Sequence, residues 1–222
     1  MRKSILGAMI VGYMGMGSMA AYADAKQPLT AGEAQTIRVM AGATIGQALQ
    51  GAMNVNNLGI ISNRSRVCGT LVGGIGGGYL TKKGDAGLVY ESVATDEDIK
   101  AAVARIMDQE AVYLAFGGEF QRDDNVAMLE RTLVALADAN YKGTIVFHAT
   151  TWAQKQPEEV IKNNAKVATY LAGSSVAAIT LDIPNSQAAM QKVTVSGTDA
   201  ALEELGRVYL RDDLVALFRR AF

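Results

Sequence analysis

From Gly87 onward, short apolar runs alternate with stretches whose apolar residues recur every three or four positions. The runs Gly87–Val93, Ala111–Phe116, Thr144–Ala149 and Val176–Ile183 have the length and near-continuous apolarity of strands buried on both faces. Between them, three sets of residues fall on common helix faces: Ile99, Val103 and Ile106; Val126, Leu129, Leu133 and Leu136; Val160, Ile161, Val167, Ala168 and Leu171. The punctuation agrees. Thr95-Asp-Glu-Asp98 resembles a capping box, Pro157 suits a first helical turn, and Gly173 suits a helix stop. A further strand is expected at Val193–Ser196, and Thr198 is expected to open a terminal helix through Leu202, Leu205 and Tyr209 toward Phe218. Strands alternating with amphipathic helices predict an α/β domain over residues 87–222, a mostly parallel sheet with helices on both faces.

Ahead of Gly87 the pattern is less regular. Residues 24–35 are polar and small, and are expected to form a loose leader. Thr36–Met40 reads as a strand, and Thr44 as the cap of a helix carrying Ile45, Ala48, Leu49, Ala52 and Met53. Leu58–Ile61 reads as a second strand, which completes a small β-α-β unit. Val67–Leu80 is uncharged, dense in glycine and bracketed by Arg64, Arg66, Lys82 and Lys83; it is expected to be a loop or hairpin. Within it Gly69, Gly73 and Gly77 stand at four-residue steps, a small-residue face suited to close packing against a partner. The division expected is therefore 1–23, 24–86 and 87–222.

Residues 1–23 carry Arg2 and Lys3, an uncharged run from Ser4 to Ala23, and small residues in Ala21-Tyr22-Ala23. That is the three-part pattern of a secretory signal peptide cut before Asp24, which implies a periplasmic or secreted product. An uncleaved membrane anchor is the rival reading, as the run could just span a bilayer.

Charge and composition then narrow the function classes. The chain has 21 Lys and Arg against 22 Asp and Glu, and loss of Arg2 and Lys3 makes it more acidic. No basic excess supports nucleic-acid binding. The single cysteine, Cys68, excludes an internal disulfide, and the single histidine, His148, excludes His-pair metal motifs within one chain. The run Gly73-Gly-Ile-Gly-Gly-Gly78 lacks the Lys-Ser/Thr of a phosphate-binding loop, so neither a nucleotide cofactor nor any other is called for.

Open parallel sheets bind ligands beyond the carboxyl ends of their strands. That rule selects Glu119, His148 and Asp182 as candidate acid–base groups, with Thr150, Thr151 and Trp152 as candidate binding residues. No nucleophile elbow accompanies them, which leaves enzyme and binding protein both open. The first expectation is an exported, non-catalytic envelope component that contacts other envelope proteins or itself. The alternatives are a periplasmic hydrolase or small-ligand-binding protein using the strand ends, and an oligomer whose glycine-rich hairpin makes peripheral contact with a membrane.

Overall fold

The computed structural model describes residues 28–82 and 87–221. The expected signal peptide and its cleavage point lie outside the described residues. In chain order the elements are α1 (Ala31–Met53), β1 (Asn57–Asn63), α2 (Arg66–Lys82), β2 (Gly87–Val93), α3 (Asp96–Ile106), β3 (Ala111–Ala115), α4 (Arg122–Asp138) and β4 (Thr144–Phe147). They continue with α5 (Ala149–Ala153), α6 (Gln156–Asn163), α7 (Ala165–Ala172), β5 (Val176–Asp182), β6 (Gln187–Ser196), β7 (Asp199–Tyr209) and α8 (Asp212–Ala221).

The seven strands form one sheet in the order β2-β1-β3-β4-β5-β6-β7. The first five are parallel; β6 and β7 extend the sheet antiparallel. The fold is thus α/β with a mostly parallel sheet, as the alternating pattern requires. The strand alternation sorts the core into two layers. Ala111, Tyr113, Val146 and Ala177 face α1 and α2, while Val112, Leu114, Phe147 and Ala178 face the helices on the other side.

Several expected elements take another form. Thr36–Met40 is helical, and α1 begins at Ala31 inside the expected leader. Thr30 and Glu33 supply a full capping box, and Thr44 lies inside the helix with its Oγ1 donating to the Met40 carbonyl. The glycine-rich stretch is α2, and it packs along α1. Two of its glycines are required by the close approach: a Cβ on Gly74 would stand 2.4 Å from the Val39 carbonyl oxygen, and one on Gly78 2.1 Å from that of Ala43. Gly42 and Gly46 on α1 are equally tight against α2. Gly69, Gly73 and Gly77, the expected contact face, point into open space. The packing of α2 on α1 uses a neighbouring pair at the same four-residue step, Gly74 and Gly78.

Near the C-terminus, the stretch expected to be helical from Thr198 is β7, a long edge strand reached through a two-residue turn at Gly197-Thr198. Leu202, Leu205 and Tyr209 are exposed on it, and the terminal helix starts only at Asp212. The expected helix after Pro157 is two helices, because Asn164 leaves helical geometry (φ −131°, ψ 99°) and its side chain caps α7. The 24–86 stretch does not stand apart, since β1 lies between β2 and β3 in the same sheet.

Candidate functional site

Because the chain steps from β1 to β2 on one side and to β3 on the other, the sheet reverses its strand order between β1 and β3. The loops there are tied down. Asn63, fully buried at the end of β1, donates through Nδ2 to the Gly117 carbonyl at 2.6 Å and to Asn125 Oδ1 at 2.8 Å. Its Oδ1 has no partner among the described residues. Gly118 follows β3 with φ +79°, and a side chain there would collide with Ser65 Oγ in the turn before α2. The chain after β1 and after β3, at Val67, Cys68, Gly117 and Gly118, borders an open space that extends toward α1 and the ends of β4 and β5.

That space is a cleft of about 400 Å³. Gly117, His148, Ala149 and Leu181 bring the strand ends to it. α1 contributes Ile37, Arg38, Ala41 and Ile45; α2 contributes Cys68 and Leu71; Leu210 and Phe218 close the far side. Thr44, Thr150, Gln154, Asn125 and Arg122 add polar groups. Among the described residues, the lining contains no carboxylate.

The sequence-selected residues divide. His148 lines the cleft, and its Nδ1 lies 2.6 Å from the Tyr113 hydroxyl, with the rings edge to face. Burial lowers its pKa to about 4, so the imidazole is neutral at physiological pH. Burial also pushes the Tyr113 hydroxyl well above its ordinary value, which leaves it protonated beside the ring. Glu119 is exposed and bound to Arg66 at 2.9 Å. Asp182 accepts from the backbone N–H and side-chain amide of Asn185, holding the β5–β6 turn. Neither carboxylate lines the cleft, so the three acid–base candidates are not brought together there.

Among the candidate binding residues, Thr150 lines the cleft. Thr151 is fully buried and donates to the Phe116 carbonyl at 2.9 Å. Trp152 packs near Phe147, with ring centroids 6.1 Å apart, and belongs to the core on the far side of the sheet. Cys68 is buried in the cleft wall; desolvation raises its pKa, against hydrogen bonds from Ser65 and the Gly117 backbone and the field of Arg38. Among the described residues, no three His, Cys, Asp or Glu side chains gather into a group able to hold a metal ion.

Sequence reasoning missed Arg38 and the apolar face of α1, because that stretch read as a strand. The signal that finds them is Thr30-Ala-Gly-Glu33, a capping box that starts the helix carrying Ile37, Arg38 and Ala41.

A family model described as "Uncharacterized protein" matches residues 34–217. The chain belongs to that family. No curated protein matches it. Among solved structures it is similar to a conserved domain protein from Vibrio cholerae, at 16% identity and TM-score 0.39, covering 64% of this chain and 40% of that one. It is also similar to an ABC domain in complex with L-Trp from Streptococcus pneumoniae, at 12% identity and TM-score 0.40, covering 64% and 41%. A leucine-, isoleucine-, valine-, threonine- and alanine-binding protein from Brucella ovis, in its closed conformation, gives 10% identity and TM-score 0.41, covering 76% and 63%. The chain thus spans less than two thirds of each of these structures. Among the described residues, no helix is long and apolar enough to cross a membrane.

Proposed function

We propose that the protein is an exported, non-catalytic small-ligand-binding protein whose site is the cleft at the carboxyl ends of β3, β4 and β5. The observation that carries this reading is the cleft itself: about 400 Å³, walled by apolar side chains, with a few polar groups at the strand ends. Such a concave, mostly apolar space with convergent polar groups is the usual form of a small-molecule site. The chemistry around it favours binding over turnover. The ring of His148 is held neutral, and both carboxylates chosen as its partners are engaged elsewhere. Export rests on the pattern of residues 1–23.

Thermal-shift screening of small amphiphiles against the protein and an Ala41→Phe variant tests the reading. Ala41 is half-buried on the cleft wall, and a phenyl group there fills the space. Compounds that stabilise the wild type and lose their effect on Ala41→Phe support it. Equal stabilisation of both proteins sinks it.

A second reading, contact with other envelope proteins or with a second copy, draws on Gly69, Gly73 and Gly77, which leave one face of α2 open. Size-exclusion chromatography of the wild type and Gly73→Leu separates the two. A larger species in the wild type, lost in the variant, favours the contact reading.

A further inference from the structure

Arg38 is the one cleft-lining cation without a carboxylate partner among the described residues. It sits half-buried on α1, one turn from Ala41 and beside Ile37, in a mostly apolar wall that also carries Thr44. Its electrostatic influence reaches Cys68 across the cleft. The other arginine of the lining, Arg122, already bonds Glu159 at 2.5 Å and the Gln154 carbonyl. Just outside the lining, Arg66 is bound to Glu119. Among the described residues, the cleft therefore presents one uncompensated positive charge. A guanidinium matches a carboxylate with two parallel N–H donors. Ile37, Ala41, Ile45, Leu71, Leu210 and Phe218 offer the remainder of a ligand an apolar surface.

We propose that the cleft selects a monoanionic amphiphile, a carboxylate on an apolar body, with Arg38 as its counter-ion. The inference rests on the cleft being a ligand site, as proposed above. One free charge favours a carboxylate over a phosphate dianion, which would need a second cation. Among the described residues, the neutral His148 and the lack of acids in the lining leave no group to repel the head or compete for Arg38.

Isothermal titration of the protein with decanoate and with decanol at neutral pH separates the two claims. Decanoate is expected to bind at least about tenfold more tightly than decanol, as a charge-assisted pair outweighs a neutral contact. Arg38→Met should bring decanoate down to the level of decanol and leave decanol unchanged, while Arg38→Lys keeps part of the preference. Circular dichroism and the melting temperature confirm that both variants are folded. Equal binding of the two compounds, or a decanoate preference that survives in Arg38→Met, overturns the inference and leaves an apolar cleft standing. Binding of neither compound by the wild type overturns the inference and the cleft reading together.

Discussion

The packing of α1 on α2 makes a sharp demand on individual glycines of one helix. Gly73 and Gly74 are neighbours in α2, yet an added methyl group meets nothing within 4 Å at Gly73 and the Val39 carbonyl oxygen at 2.4 Å at Gly74. Alanine at Gly73 should raise stability by about 0.5–1 kcal/mol, since it restricts the unfolded chain and favours the helix. The same propensity gain applies at Gly74, but the methyl group stands roughly 1 Å inside ordinary contact distance. Its neighbour is backbone, which cannot rotate away, so the two helices must part. Overpacking of this kind costs about 1–3 kcal/mol, leaving Gly74→Ala destabilised by roughly 1–2 kcal/mol net. For a protein of this size, that is a fall of about half a molar in the urea midpoint for Gly74→Ala and a small rise for Gly73→Ala, with the slope unchanged. Equal shifts of the two midpoints, in either direction, would refute this mode of helix–helix packing.

Other consequences follow from single groups. His148 has a pKa of about 4 in the folded protein against about 6.5 when unfolded, so protonation favours the unfolded chain. Stability should be full above pH 6.5 and fall by up to about 3 kcal/mol toward pH 4; His148→Gln should flatten that part of a midpoint-against-pH curve, and an unchanged slope counts against it. Gly118→Ala should cost at least about 1 kcal/mol, from its positive φ and its collision with Ser65, measurable as a lower melting temperature. Asn63→Ala should cost about 1–3 kcal/mol, because it leaves the part-buried Gly117 carbonyl and the buried Asn125 Oδ1 without their donor; a neutral effect in urea titration would show that water replaces it. The Cys68 thiol, buried and with a raised pKa, should react with a thiol reagent far more slowly in the folded protein than in the unfolded one, and fast labelling would contradict its place in the wall.

The C-terminal half was legible because its strands are buried on both faces and its helices on one, so periodicity carried the burial directly. Val112, Leu114 and Phe147 face one layer while Tyr113 and Val146 face the other, which makes the runs continuous. The N-terminal stretch was not legible by the same means. The Thr36-Ile-Arg-Val-Met40 run has β-branched residues typical of strands, and the glycines of α2 have poor helix propensity; both are overridden by a helix pair that needs glycine to approach. Leu202, Leu205 and Tyr209 have near-helical spacing but sit on an exposed edge strand, where no core enforces an alternation. At the site, the strand-end rule found His148 and Thr150 but could not tell that Glu119 and Asp182 are engaged with local partners. It also could not reach Arg38, which approaches the strand ends from a helix outside the parallel β-α repeat.

The most direct test of ligand binding in the cleft is a set of amide chemical shifts recorded while the isotope-labelled protein is titrated with decanoate. Occupancy of the cleft predicts saturable shifts concentrated at Arg38, Ala41, Cys68, Gly117 and His148. Shifts that scatter over the surface, or that gather on the open glycine face of α2 at Gly69, Gly73 and Gly77, would contradict it.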